Sequence, residues 1–570
     1  MYLKQNKVNG RVHLLIAHGY KDKETKKTRT KTIKTIGYLD ELEKEFNDPI
    51  SHFKSVVNEM NEKEKYDNPP CVIMFDRKET LTSMSSKRKN LGYAVLSKIY
   101  YKLGLDIFFY NHSRNIKADF NVNSIMKTEI FSRLLFPASK KKTYENKDIF
   151  FENTEYELID VYRCLSHVSK LSNVVQKHLH LKIKEHYGRK TDLVYYDVTN
   201  YYFEIDEQDE LRKKGVSKEH RPDPIIQMGL FMDTAGVPIS YRLFAGNTND
   251  CETLYPYLTQ VKRDFDDIRR VIVVADKGLN TSPNIVSNTL QGDGYVFSQK
   301  VRGANGELQE YVLDNNGYTW LNDDYKIKSR LFPRIVYVTD TNGKQKQVRL
   351  DEKQVVFYSK AYDKKAKADR EVAVIKARDL VCNPSKYKKA TSYGAAKYVK
   401  NLEYDPKTGE ILVSKKQPIF DEQKLKEEEK WDGYYAIVTS ELDKTDNEII
   451  EIYRGLWKIE ESFKVTKNDL EARPVYLSRQ DRIEAHFLIC FIALVIGRIL
   501  ENLLDNNYSI TQLADSLCRT SCSPLEENWY LFDYTDEIIL DIKEKLGIDL
   551  TYKYLRLGEI KIILANTKKP

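Results

Sequence analysis

No apolar run in this chain of 570 residues is long enough to span a bilayer. The most apolar stretch, Phe487 to Gly497, ends at Arg498 after eleven residues, against the ~20 that a membrane helix needs. It reads as part of a buried helix over 477–504. The opening residues, MYLKQNKVNG, contain no apolar core of a secretion signal. Cysteine is sparse and unpatterned: Cys71, Cys164, Cys251, Cys382, Cys490, Cys518 and Cys522 are scattered and odd in number, which fits free thiols in a reducing compartment. Cys518 and Cys522 have neither a second cysteine pair nor a histidine pair beyond them, which argues against a zinc site. His178, His180 and His186 sit on or near one helix without matching acidic or cysteine partners, so they read as surface or internally satisfied residues. A large excess of one charge is also missing. The net +8 is small for this length, so the placement of basic residues matters more than their total. With 31% charged residues and a mean hydropathy of −0.57, the expectation is a soluble, cytoplasmic protein of three or four domains with no membrane partner.

Along the chain, residues 1–68 form a basic N-terminal segment. VHLLIAHGY and TIKTIGYL predict a small β-hairpin whose loop, KDKETKKTRTK, carries much of the charge. That loop suits either plain solvation or the donation of lysines to phosphates. A helix rich in mixed charge is predicted over 39–65, and Pro69-Pro70 punctuate the chain. Residues 69–190 are helical, with LGYAVLSKIYYKLGL, VNSIMKTEIFSRLLF and ELIDVYRCLSHVSKLSNVVQKHLHLKIKEHY in sequence. Short basic turns between helices suit a helix-turn-helix-like reader of DNA ends or a plain bundle, and periodicity does not separate the two.

The texture changes at 191. TDLVYYDVTNYYFE is β-branched and aromatic with Asp197 at its centre, where aspartate is disfavoured. IIQMGLFMD and VPISYRLFAG are two strands joined by a tight turn. GNTNDCETLYPYLTQVKRDF predicts a loop and helix capped by Asn249 or Asp250. RRVIVVADKG is a wholly apolar strand ending in Asp276, of the kind buried on both faces. A helix, SPNIVSNTLQ, and a fifth strand, GYVFSQ, complete the series over 191–299. The order β-β-β-α-β-α-β is that of an RNase H-like α/β fold with a mixed sheet. Residues 300–430 interrupt it with strand-like pieces (YTWL, RIVYVTD, KQVVFYS) and lysine-rich helical ones. There Lys386, Lys388, Lys389, Lys397 and Lys400 interleave with Tyr387, Tyr393 and Tyr398, a mixture suited to phosphates and unstacked bases, or to a decorated solvated surface. Residues 431–505 return to the core, and 506–570 are a mixed tail, a candidate for dimerisation.

Residues 446–476 predict one helix with Asp446 or Asn447 as N-cap, and apolar Ile449, Ile452, Leu456, Ile459 and Phe463 facing a core. At roughly 100° per residue, Tyr453, Trp457, Glu460, Lys464 and Lys467 share one arc. The same spacing is that of an ordinary amphipathic helix with a Glu460–Lys464 pair. Glu461 points away from both lysines, so Glu460 is the candidate. An RNase H-like fold would bring Asp197, Asp276 and Glu460 together. Phosphodiester transfer needs two divalent cations about 3.5–4 Å apart, and Mg²⁺ takes hard oxygen ligands of this type.

The segment Y-RGLWKIEESFKVTK resembles the Y-(2)-R-(3)-E-(6)-K signature of bacterial insertion-sequence DDE transposases. Tyr453, Glu460 and Lys467 match its first, third and last positions, and Lys464 an additional basic one; Leu456 stands at the Arg position, with Arg454 nearby but pointing elsewhere. YYDVTNYYFE and VIVVADKG resemble the family's two Asp motifs, and residues 300–430 its β-rich insertion domain. The resemblance implies a transposase with Asp197, Asp276 and Glu460 as catalytic metal ligands for two Mg²⁺ ions, which Mn²⁺ can replace. Tyr453, Arg454, Lys464 and Lys467, with Lys386, Lys388, Lys389 and Lys397, would contact double-stranded DNA, both transposon ends and target. It also implies strand cleavage and 3′-OH transfer at terminal inverted repeats, often through a hairpin intermediate, by a homodimer acting at the bacterial nucleoid. A nuclease that only hydrolyses DNA, or an idle DNA-binding derivative of a transposase, are the alternatives.

Overall fold

The computed structural model describes residues 1–8, 10–21, 28–66, 80, 88–114, 119–218, 222–339, 344–383, 393–402 and 417–569. The chain divides into two compact units, Met1–Ser85 and Ser86–Pro570.

In the first unit, three antiparallel strands, β1 (Tyr2–Val8), β2 (Arg11–Lys21) and β3 (Thr28–Tyr38), form one sheet. The predicted hairpin is β2–β3, and β1 is an addition to it. Val8 pairs with Arg11 across a two-residue turn, where Gly10 takes φ 80°, a conformation that glycine adopts without strain. Most of the basic loop lies outside the described residues. The predicted helix over 39–65 is two pieces, a short turn at Leu39–Leu42 and α1 (Pro49–Tyr66), because Pro49 is suited to a helix's first turn and not to its interior.

The second unit is built on a nine-stranded sheet. Its strands are β4 (Leu193–Tyr202), β5 (Ile225–Met232), β6 (Pro238–Ala245), β7 (Ile272–Ala275), β8 (Gly294–Gln299), β9 (Thr319–Asn322), β10 (Tyr325–Leu331), β11 (Lys353–Ser359) and β12 (Tyr434–Thr439). The spatial order is β9-β10-β11-β12-β8-β7-β4-β5-β6. β4, β5 and β6 run antiparallel, while β7 is parallel to β4 and β8 parallel to β7. That order and those directions make β4–β8 an RNase H-like sheet. β12 joins β8 antiparallel and carries β11, β10 and β9 beyond it, so three strands of the 300–430 segment extend the same sheet. Within RIVYVTD, Arg334–Thr339 instead pairs with Gln345–Leu350 in a separate two-stranded ribbon.

Side chains alternate across β4. Val194, Tyr196 and Val198 face a core with helices Leu254–Asp264 and Ser282–Leu290, whereas Tyr195 and Tyr201 face the larger core. That core is organised on the buried helix Gln480–Leu503. Phe487 meets Tyr201 and Phe491 meets Tyr241, each at about 5 Å between ring centroids. Contrary to the expectation from the eleven-residue run, the full helix has the length and apolarity of a membrane span, yet 94% of its most apolar stretch is buried inside the protein, as befits a helix hydrophobic all round. Arg498 within it is satisfied by Glu501 at 2.7 Å and by Ser462 Oγ. Helices Tyr93–Lys102, Val122–Leu135 and Leu158–Val168 pack against its other side. The C-terminal tail also belongs to this core: Ile539, Ile542 and Ile560 are fully buried, and its strands join Lys89–Asn90 in a four-stranded sheet.

Candidate active site

Strand register places the two aspartates. Tyr195 of β4 pairs with Val274 of parallel β7. Two residues further along each chain come Asp197, still within β4, and Asp276, in the loop that leaves β7. Both lie at the carboxyl side of parallel strands, where open α/β sheets place their ligands. Asp276 is the first residue beyond β7, and Ser298 of adjacent β8 donates its Oγ–H to Asp276 Oδ1 at 2.8 Å. Asp197 is half-buried, and its Oδ1 accepts the N–H of Val198 at 2.7 Å.

Glu460 comes from the other side of the sheet's carboxyl edge, on a broken helix. The first piece, Asp446–Arg454, is capped by Thr445 in a capping box with Glu448; the predicted caps, Asp446 and Asn447, are already inside the helix. The predicted single helix breaks at Gly455 and resumes as Trp457–Lys464, followed by one π-helical turn, Val465–Asp469. The break coincides with a close approach to β4. A Cβ on Gly455 would lie 1.9 Å from the hydroxyl oxygen of Tyr195, so only glycine lets this joint rest on β4, two residues from Asp197. The Tyr453 hydroxyl reaches Asp276 Oδ1 at 3.5 Å, and Glu460 is exposed. Glu461 is engaged elsewhere, with Oε2 3.4 Å from Nη2 of buried Arg498.

Electrostatics tie the three acids together. Burial pushes the Asp197 carboxyl up to about 6, opposed by Lys218 and by the Val198 N–H; Asp276 and Glu460 push it further up. Burial raises the Tyr453 hydroxyl, and Asp276 and Glu460 add to the effect while Ser298 opposes it. Lys467, in the π turn, is brought down to about 8 by burial and by Lys218, against the pull of Asp197. Lys218 was not legible in the sequence. It belongs to the loop after β4, beside Lys213 and Lys214, and nothing in that run singles it out. Its Nζ donates to the Val198 carbonyl and lies 3.8 Å from Asp250.

The other predicted contacts divide. Lys464 is exposed on the same helix as Glu460. Arg454 turns away, pairing with Glu451 at 2.6 Å and stacking over Tyr325. Lys397 is bound to Glu428 at 2.7 Å. Lys386, Lys388 and Lys389 lie outside the described residues. His178 is satisfied by the Leu103 carbonyl as expected, but His180 does have an acidic partner, Asp267 at 3.0 Å, brought from a distant loop. Two cavities lie near these groups, and one of them is lined by Asp276. One of about 410 Å³ beside Asp276 is lined by Lys300, Arg302, Tyr434 and Tyr435. The other, about 750 Å³ beside Lys467, is lined by Lys141, Tyr202, Arg473 and Tyr476. Basic and aromatic linings of this kind suit nucleic acid.

Among the described residues, no three His, Cys, Asp or Glu side chains are disposed to grip one ion. The donor set nevertheless fits hard divalent cations. All three are carboxylates, and Asp197, raised by burial first and then by two like charges, is the group a cation would relieve.

A family model for the transposase DDE domain matches residues 208–496, and one for the N-terminal domain of IS1634 family transposases matches residues 3–69. The first match contains Asp276 and Glu460 but begins after Asp197, whose assignment rests on register. No curated protein matches the chain. Among solved structures it is similar to the Mos1 mariner paired end complex with Mn, at 13% identity and a TM-score of 0.13. That likeness covers 41% of this chain and 64% of the other, so the chain spans about two thirds of that protein's length; the superposition is too loose to bear on the site. By its DDE domain and its N-terminal domain together, the chain belongs to the insertion-sequence DDE transposases, with the N-terminal domain of the IS1634 family.

Proposed function

We propose that this protein binds the terminal inverted repeats of its insertion sequence and catalyses Mg²⁺-dependent strand cleavage followed by 3′-OH strand transfer into target DNA. The observation that carries the reading is that β4, which holds Asp197, pairs in parallel with β7, whose exit loop holds Asp276, with Glu460 acting on the Asp197 carboxyl. In this reading Asp197, Asp276 and Glu460 hold two divalent ions. Such a pair, when bound, activates the attacking oxygen and stabilises the leaving one.

The chain's own groups do the rest. Ser298 and Tyr453 fix the direction of the Asp276 carboxylate by hydrogen bonds. Lys467 and Lys218 set positive charge beside Asp197, where a scissile phosphate approaching the acids would meet it. The two cavities, with their lysines, arginines and tyrosines, take the flanking backbone and bases. The segments 1–68 and 69–190 read the ends. The segments 191–299 and 431–505 form the catalytic core, 300–430 serves as the insertion domain, and 506–570 contributes to pairing of two protomers on two ends.

The test is strand transfer by purified protein on its own terminal repeats with Mg²⁺, resolving joined from merely nicked products. Joined products that vanish with Asp197→Asn and Glu460→Gln support the proposal. Nicking without joining makes the protein a nuclease, and metal-independent binding without cleavage makes it a DNA-binding derivative. Joining that survives Glu460→Gln refutes the site.

A further inference from the structure

We propose that Asn280 and Arg334 are positioning residues for Asp276, through a hydrogen-bonded circuit that holds its carboxylate ready for a divalent cation. The inference rests on the reading of Asp276 as a metal ligand.

β7 ends at Ala275, so Asp276 sits on a loop and its direction must be fixed from outside. The loop closes on itself through Leu279 N–H to Asp276 O at 2.9 Å. Asn280 then uses both ends of its amide. Nδ2 donates to the Ser298 carbonyl at 3.0 Å, and Oδ1 accepts from Arg334 Nη1 at 2.9 Å. Ser298 in turn donates its hydroxyl to Asp276. Arg334 is anchored on its far side by Nε to Glu352 Oε2 at 3.1 Å. Glu352 is 1% exposed and also accepts the Tyr295 hydroxyl at 2.8 Å. Tyr295 and Ser298 both belong to β8, so the circuit leaves that strand through Tyr295, passes through Glu352, Arg334 and Asn280, and returns at Ser298 beside the acid.

A buried Arg–Glu pair of this kind is weak as a source of stability, because desolvation offsets its attraction. Its use here is orientation. The guanidinium's fixed fork joins Glu352 to Asn280 in one plane, and the Asn280 amide cannot turn over without losing both bonds. Groups that orient a ligand's carboxylate from behind change metal affinity by ~10–100-fold when removed.

The experiment is Mn²⁺ titration of the full chain without DNA, by calorimetry, alongside thermal unfolding of the metal-free protein. Asn280→Ala leaves the Arg334–Glu352 pair in place. It is expected to weaken Mn²⁺ binding ~10–100-fold with the metal-free unfolding midpoint unchanged. Arg334→Lys keeps a cation against Glu352 but cannot hold both partners, and is expected to weaken Mn²⁺ likewise; it serves as the second variant if Asn280→Ala folds poorly. Affinities within twofold of the unsubstituted protein in both, while Asp276→Asn binds weakly, would overturn the inference alone. Failure of the unsubstituted protein to bind Mn²⁺ would overturn the metal-site reading and the inference with it.

Discussion

Gly455→Ala tests whether the joint between the two helix pieces places Glu460. Gly455 has helical backbone angles, φ −59° and ψ −14°, so by helix propensity alone alanine would stabilise by ~1 kcal/mol. The new Cβ, however, would lie 1.9 Å from Tyr195 Oη and 2.5 Å from its Cζ. Ordinary contact begins near 3.4 Å, so joint and strand must part by about 1.5 Å. Tyr195 is 5% exposed within the core and has little room to retreat. Overpacking of this sort costs ~1–3 kcal/mol, which cancels or exceeds the propensity gain, for a net loss of ~0–2 kcal/mol. The functional loss is expected to be larger. Shifting the Glu460 helix by an ångström relative to Asp197 and Asp276 costs ~100-fold in rate. Cleavage of labelled terminal-repeat DNA, measured with thermal unfolding, reads both. Adding Tyr195→Phe removes the nearest clashing atom and should recover part of each loss. Cleavage within twofold of the unsubstituted protein, at unchanged stability, would refute the claim that this contact positions the acid.

Three further expectations concern charge. Because the Asp197 carboxyl is raised to about 6 from 3.8 in the metal-free protein, ionising it opposes folding: its contribution is most favourable below pH 3.8 and declines as pH rises through 6. Asp197→Asn should therefore raise the metal-free unfolding free energy at pH 8, by up to about 3 kcal/mol, and hardly at pH 4; a lower unfolding free energy at pH 8 would refute it. Glu460→Gln should abolish cleavage at unchanged stability, whereas Glu461→Gln, which loosens only the Arg498 contact, should keep most of the cleavage; the reverse pattern would show the acids exchanged. Lys467 near pKa 8 is cationic below that pH and loses its charge above it, so DNA affinity measured by fluorescence anisotropy should fall between pH 7 and 9. Lys467→Ala should remove that fall and lessen the salt slope by ~1.

Much of the core was legible because burial leaves a plain trace. RRVIVVADKG reads as a strand covered on both faces, and the apolar stretch around Phe487–Gly497 reads as a buried helix. Strand alternation also set Asp197 apart, since a carboxylate amid β-branched and aromatic residues has no packing reason to be there. Helix ends and breaks were less legible. The three/four apolar spacing runs unbroken from Ile449 to Phe463, and the need for glycine at 455 comes from Tyr195, more than 200 residues earlier. β1 has a local trace as well, since Asn9-Gly10 is a strong hairpin signal. That β9, β10 and β11 extend the main sheet could not be read, because partner choice among strands is not encoded in any one of them.

The sequence by itself determined the existence and order of the core elements, and which acids stand where no packing residue should. These follow from local periodicity and side-chain burial, properties carried within ten or twenty residues of chain. Only the tertiary structure decided that the strand holding Asp197 pairs with the one leading to Asp276, that Lys218 and Lys467 share their neighbourhood, and that Arg334 reaches Asn280. Register, helix joints and side-chain circuits depend on contacts between segments far apart in the chain, and these exist only once the core has closed around them.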